Sequence, residues 1–186
     1  MGPRERLLAL LRELSYKKGR VLLASGKESD FFIDCKQTVL TAEGHRLVGE
    51  LMLEPLLGAS RRPLVSAVAG VELGGCPLAS AVAVMSALAA VPLDALYVRK
   101  EAKDHGSRRL IEGGTRLKPG ASVALLEDVI TTGGSTLKAL ATLREAGFVV
   151  EHVVVLVDRL EGGREALVAA GLQVHAIYTK ADVRED

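Results

Sequence analysis

The stretch from Val149 to Val157 constrains the fold most. Val149, Val150, Val153, Val154, Val155, Leu156 and Val157 are interrupted only by Glu151 and His152. β-Branched side chains crowd a helix and fit a pleated strand, and a strand without polar alternation must be covered on both faces. Helices that cross over between parallel strands give that cover, so this one run asks for an α/β layered fold.

The rest of the chain supplies matching pieces. Leu7, Leu10, Leu11 and Leu14 share a helical stripe, which predicts an opening helix ending near Lys18-Gly19. Two extended pieces follow, Val21 to Leu23 and Phe31 to Asp34, separated by the turn-rich segment Ser25 to Asp30, as in a small hairpin attachment. From residue 41 helices and strands alternate. We expect a helix over Thr41 to Leu57, a strand over Leu64 to Ala69, a helix starting near Pro77 and strands over Leu93 to Val98 and Ser122 to Leu126. A helix over Ser135 to Ala146 carries the stripe Ala139, Leu140, Leu143 and Ala146 and stops at Gly147. The buried valine strand, a helix over Arg164 to Ala170 and a strand over Leu172 to Ile177 complete a mostly parallel twisted sheet flanked by helices. A chain of 186 residues holds one such core, so residues 1–186 are expected to form a single domain.

Charge excludes some functions. Lys and Arg total 24 against 23 Asp and Glu, a net charge of +1, so no global field draws the chain to nucleic acid or an anionic membrane. Cys35 and Cys76 make neither a disulfide framework nor a metal-ligand spacing. Arg12 and Glu13 interrupt the N-terminal apolar run, which argues against a signal peptide and for the cytoplasm. The apolar run from Pro77 to Leu93 is too short and alanine-rich to span a membrane; a helix buried against the sheet or a subunit partner accounts for it.

Chemistry concentrates in Val123-Ala124-Leu125-Leu126-Glu127-Asp128-Val129-Ile130-Thr131-Thr132-Gly133-Gly134-Ser135. An apolar strand leads to two carboxylates, a hydroxyl- and glycine-rich bend, then a helix start. Unpaired N–H groups at a helix start cradle phosphate, and Thr131, Thr132 and Ser135 add hydroxyls. Adjacent carboxylates can accept from vicinal sugar hydroxyls and stabilise positive charge developing on a ribose ring. An ordinary capped strand-helix turn uses the same residue types singly; the ordered combination favours a phosphate and ribose grip. It is not a P-loop and lacks the dinucleotide fingerprint.

This segment resembles the binding motif for phosphoribosyl pyrophosphate (PRPP) in type I phosphoribosyltransferases. The resemblance implies that Glu127 and Asp128 bind the ribose hydroxyls while Thr131, Thr132, Gly133, Gly134 and Ser135 hold the 5′-phosphate. A second stretch, Arg99-Lys100-Glu101-Ala102-Lys103-Asp104-His105-Gly106, followed by Leu110-Ile111-Glu112-Gly113, is similar to the flexible catalytic loop of the orotate enzymes. That likeness implies a homodimer in which Arg99, Lys103 and His105 reach pyrophosphate in the neighbouring subunit and Lys100 acts within its own. Glu72, Leu73 and Gly74 fall in a segment similar to the family's pyrophosphate loop; some members carry lysine where Gly74 stands. Ser25-Gly26-Lys27 with Phe31, Phe32 and Ile33 resembles the N-terminal hood over the base, formed by about residues 1–40 with the C-terminal segment. The family's usual lysine before Ser-Gly is Ala24 here, with Lys27 the available substitute. Arg159, in Asp158-Arg159-Leu160-Glu161-Gly162, matches the orotate family's pattern, and a bidentate arginine suits the carboxylate that distinguishes orotate from uracil. Phe32, Ile33 and Thr131 would complete the orotate site.

The implied reaction joins orotate to PRPP, giving orotidine 5′-monophosphate and pyrophosphate. Mg²⁺ is the expected cofactor, bound through PRPP and water rather than by firm protein ligands. The rival readings are a phosphoribosyltransferase for another base and a non-catalytic PRPP-sensing regulator.

Overall fold

The computed structural model describes residues 1–22, 28–100 and 110–184. Lys103 and His105 of the basic segment, and Ala24 and Lys27 of the hairpin turn, lie outside the described residues.

Helix α1 (Pro3–Leu10) begins with proline, whose missing N–H would be unpaired there anyway, and buries Leu7 and Leu10. It does not continue to Lys18. A π-helical turn over Leu11–Ser15 follows, and the chain becomes extended at Tyr16. Tertiary bonds outweigh the helical stripe here. Ser15 Oγ and Thr38 Oγ1 lie 2.6 Å apart, and Asp34 N donates to the Ser15 carbonyl at 3.0 Å. Strand β1 (Tyr16–Leu22) then pairs antiparallel with β2 (Glu28–Ile33), forming a two-stranded sheet near the N-terminus.

After the short α2 (Lys36–Val39), α3 (Ala42–Leu53) starts at Thr41, whose hydroxyl accepts from Gly44 N at 3.0 Å. A 3-10 turn over Glu54–Leu56 ends it. Strand β3 (Ala67–Val71) begins three residues later than expected, because Leu64 remains exposed and bonds to Leu56 rather than to the sheet. Then come α4 (Gly75–Leu88), β4 (Asp94–Val98), the unforeseen edge strand β5 (Ile111–Gly113), β6 (Ser122–Ile130), α5 (Gly134–Glu145), β7 (Val149–Asp158), α6 (Gly163–Ala169), β8 (Gln173–Thr179) and α7 (Lys180–Val183).

The main sheet has six strands in the order β5-β4-β3-β6-β7-β8. All neighbours are parallel except β5, which runs antiparallel to β4. Strand alternation sends Ala124, Leu126, Val154 and Leu156 into the core shared with α1, α3 and α4. Val123, Leu125, Val153 and Val155 enter the opposite core with α5 and α6. Helices α3 and α4 touch through a glycine: a Cβ on Gly49 would lie 2.5 Å from the Ala81 carbonyl oxygen. Strand order reverses beside β3, whose neighbours are β4 on one side and β6 on the other. Parallel sheets open a ligand crevice at the carboxyl ends of such a switch point, and the β3–α4 and β6–α5 connections both lie there.

Candidate active site

The two carboxylates sit within β6, not beyond it. The strand continues past Leu126 because Glu127 pairs in register with Val155, Val129 with Val157 and Ile130 with Asp158. Alternation therefore puts the adjacent acids on opposite faces. Glu127 follows Leu125 toward α5, and Asp128 follows Leu126 toward α4.

Glu127 is 6% exposed, and its Oε2 accepts from Thr136 Oγ1 at 2.8 Å and Ser135 Oγ at 3.2 Å. Burial, then the neighbouring Asp128 charge, raise its pKa to about 7, although both hydroxyls favour the anion. Near neutrality this carboxylate is thus poised between its two forms. Asp128 Oδ1 accepts from Val129 N at 2.9 Å. Its carboxylate lies over the β3–α4 turn, where a Cβ added to Gly74 would come 2.2 Å from Oδ2. A lysine at position 74 would have to displace it. Beneath, Cys35 is fully buried, and burial followed by the Asp128 charge pushes its thiol pKa well up.

The bend Thr131 to Gly133 connects β6 to α5. Gly133 has φ 79°, a left-handed conformation that a side chain would strain, and no side chain caps the helix. The first-turn N–H groups of α5 are thus available to an anion, with Thr132, Gly134 and Ser135 exposed beside them. A Cβ on Gly133 would lie 3.2 Å from the Gly163 carbonyl oxygen, and one on Gly163 would lie 2.6 Å from the Thr131 carbonyl oxygen. The starts of α5 and α6 therefore meet backbone to backbone.

In the β3–α4 connection, Glu72 N donates to the Val98 carbonyl at 2.9 Å, the Glu72–Leu73 peptide bond is cis, and Leu73 is exposed. A Cβ on Gly75 would lie 2.6 Å from the Leu126 carbonyl oxygen, so this turn fits flush against β6. Arg99 and Lys100 leave β4 into a cavity of about 390 Å³ that Ser135 and Lys138 of α5 also line. Arg99 N donates to the Leu110 carbonyl at 2.8 Å, and Arg99 Nη1 is 3.8 Å from Glu112 Oε1. Both ends of the basic segment are thereby fixed.

Across the crevice, Arg159 N donates to the Ile130 carbonyl at 3.1 Å and its guanidinium pairs with Glu161 at 2.8 Å. The ring beside Arg159 is Phe31, with the guanidinium carbon 5.6 Å from its centroid. Phe32 points to the other face of β2, where Lys17 lies 5.8 Å from its ring centroid. Ile33 shares the Phe31 face and packs on the core.

The structure therefore gathers Glu72, Leu73, Gly74, Glu127, Asp128, Thr131 to Ser135 and Arg159 along the carboxyl ends of β3, β6 and β7, and Arg99 and Lys100 at the end of β4. Sequence reasoning missed Thr136 and Lys138, and it put Phe31 in the hood without distinguishing its face from that of Phe32. Helical spacing from Ser135 marks Lys138, but nothing in the sequence separates Phe31 from Phe32 before strand phase is known.

Comparisons with known proteins agree. The phosphoribosyl transferase domain matches residues 42–168, and the chain belongs to that family. In sequence it stands with the orotate enzymes. The orotate phosphoribosyltransferase of Sorangium cellulosum is 68% identical over 183 residues, covering 98% of this chain and 94% of that protein. The crystal structure of Mycobacterium tuberculosis H37Rv orotate phosphoribosyltransferase in complex with PRPP has a TM-score of 0.79 at 33% identity and covers 98% of this chain and 99% of that one. Adenine phosphoribosyl transferase from Trypanosoma brucei shares the fold alone, with a TM-score of 0.72 at 15% identity, covering 100% of this chain and 83% of that one. The fold by itself therefore does not choose the base.

Proposed function

We propose that this protein transfers the phosphoribosyl group of PRPP to orotate, forming orotidine 5′-monophosphate and pyrophosphate in de novo pyrimidine (UMP) synthesis. The observation that carries this reading is the placement of the Glu127/Asp128 pair and the bend after it at one sheet edge, with Arg159 directly after the end of the next strand. In this reading Glu127 and Asp128 accept from the ribose hydroxyls, residues 131–135 hold the 5′-phosphate, and the backbone at Glu72, Leu73 and Gly74 approaches pyrophosphate. Orotate N1 attacks the anomeric carbon as its bond to the pyrophosphate oxygen breaks, and the N1 proton passes to the departing pyrophosphate or to solvent. The two carboxylates stabilise the cationic ring between those events. Arg159 takes the orotate carboxylate in bidentate fashion, with Ile33 and Thr131 beside the base and the fully buried Phe31 ring packed behind the guanidinium. Phe32, half-buried, lies on the opposite face of the hairpin from Phe31 and reaches the base only from that side.

The acids facing this edge offer oxygen donors, which fit a hard, partly hydrated Mg²⁺. The ion would be held through PRPP phosphates and water rather than by a firm protein ligand, and when bound it would offset charge on the leaving pyrophosphate. We further read residues 1–186 as a single domain, its hood built from residues 1–40 and the C-terminal segment, working as a cytoplasmic homodimer. Lys103, His105 and Arg99 would serve the neighbouring subunit, and Lys100 its own. An apolar stripe on α4, with Val84 58% and Leu88 75% exposed, supports a subunit partner on that helix. Among the described residues no helix is long and apolar enough to cross a membrane.

A base panel tests the reading. With PRPP and Mg²⁺, release of pyrophosphate should require orotate and be negligible with uracil, adenine or hypoxanthine. Preferred turnover of an uncharged base would overturn the assignment of Arg159, and PRPP binding without any turnover would favour a sensor.

A further inference from the structure

We propose that Lys180 is a second cation of the base site, reaching the acceptor atoms of the pyrimidine carboxylate that the Arg159 fork leaves over. The inference rests on the orotate reading and names a specificity residue within it. Three observations carry it.

First, position. Asp158 and Thr179 are partners in register on the adjacent parallel strands β7 and β8. Arg159 and Lys180 are the next residues along each chain, so both leave the sheet at the same level of its carboxyl edge. Second, a shared neighbour. Phe31 is fully buried, with Tyr16 packed 5.3 Å away. Its ring has the Arg159 guanidinium carbon 5.6 Å and the Lys180 Nζ 5.3 Å from its centroid. Attraction of each cation to the ring is modest, whereas two cations drawn to one ring repel each other. Glu161 already pairs with Arg159 at 2.8 Å, and a ligand carboxylate set between the two cations would share or take that carboxylate's place.

Third, fixation. Thr179 and Asp182 form a reciprocal cap: Asp182 N donates to Thr179 Oγ1 at 3.3 Å, and Asp182 Oδ2 accepts from Thr179 N at 2.7 Å. Val183 is fully buried, and Arg12 Nη2 donates to the Asp182 carbonyl at 2.7 Å. Tyr178 Oη donates to the Arg4 carbonyl at 2.6 Å. The backbone that bears Lys180 is tied on both sides, while its half-buried side chain still meets solvent. A lysine suits the role because its three donors rotate freely, where the Arg159 fork is planar.

Steady-state kinetics of Lys180→Ala, Lys180→Gln and Lys180→Arg test this, with KM measured separately for orotate and PRPP and melting temperature recorded for each. Lys180→Ala and Lys180→Gln should raise KM for orotate about tenfold or more, as expected for losing one charge-assisted contact, with KM for PRPP unchanged. Lys180→Arg should restore most of the loss. If Lys180→Ala does not fold, the uncharged but still polar Lys180→Gln supplies the same readout. An unchanged orotate KM, or equal rises in both KM values together with a lower melting temperature, would overturn the proposal while the wild type still makes orotidine 5′-monophosphate. A wild-type protein that uses another base in place of orotate would overturn the proposed function and this inference together.

Discussion

The two faces of the sheet finish their carboxyl edge in different ways. On the α5 and α6 side, the edge is built by backbone approaching backbone: Gly133 meets Gly163, and Gly163 leaves no room before Thr131 and Ile130. On the side of the N-terminal hairpin, side chains from remote parts of the chain do the work, with Arg12, Arg4, Tyr178 and the Thr179/Asp182 cap joining the two termini. Backbone contacts admit no substitution without movement, whereas side-chain ties can be lost one at a time. If the proposed function holds, the phosphate side should therefore fail abruptly and the base side gradually.

Gly163→Val should break this contrast most visibly. Its Cβ would meet the Thr131 carbonyl oxygen and Ile130 Cγ1 at 2.6 Å. We expect a loss of about 1–3 kcal/mol in chemical denaturation, and a fall of about a hundredfold in PRPP-dependent pyrophosphate release as the bend shifts. An unaltered denaturation midpoint would show that this contact yields easily.

Glu127→Gln sharpens the same side through pH. The folded-state pKa of about 7 lies above the ordinary 4.5, so between those values the folded chain holds a proton that the unfolded chain has released. Stability is therefore lost as pH rises through that window. Differential scanning calorimetry should find the glutamine variant melting above wild type at about pH 8, with the gap closing toward about pH 4. The same variant should bind PRPP more weakly and lose the tightening with pH that wild type gains as Glu127 ionises.

On the base side, Thr179→Ala removes half of a reciprocal cap. It should cost about 0.5–2 kcal/mol and raise KM for orotate while sparing KM for PRPP. A larger effect on PRPP than on orotate would erase the distinction between the two sides. The smallest change is expected from Arg46→Ala, which removes the exposed i,i+4 pair with Glu50 on α3. Stability should move by less than about 0.5 kcal/mol and both KM values should stay put.

The legible parts of the sequence were those where one physical cause dominates. The valine run became β7, and the apolar stripe with Gly147 behind it became α5, because burial and helix termination act locally there. The acids were recognisable by type and order. Their assignment to opposite faces was not, since it follows from β6 extending to Ile130 by pairing with β7. The opening leucine stripe misled because Ser15 bonds with Thr38 and Asp34, partners far along the chain. Strand β5 is three residues long and exists only because β4 offers it an edge. Phe31 and Lys180 meet through folding of segments from opposite ends of the chain, and no local pattern announces such a pairing.

The contact between Gly133 and Gly163 also acts as a calliper. Arg159 lies four residues before Gly163, and the phosphate bend ends at Gly133, so the jaws that would grasp the two ends of a nucleotide share one hinge-free joint. Under the proposed function, a ligand one bond longer or shorter between its phosphate and its base carboxylate should seat properly at one jaw only, and molecular length itself would then be a criterion of selection.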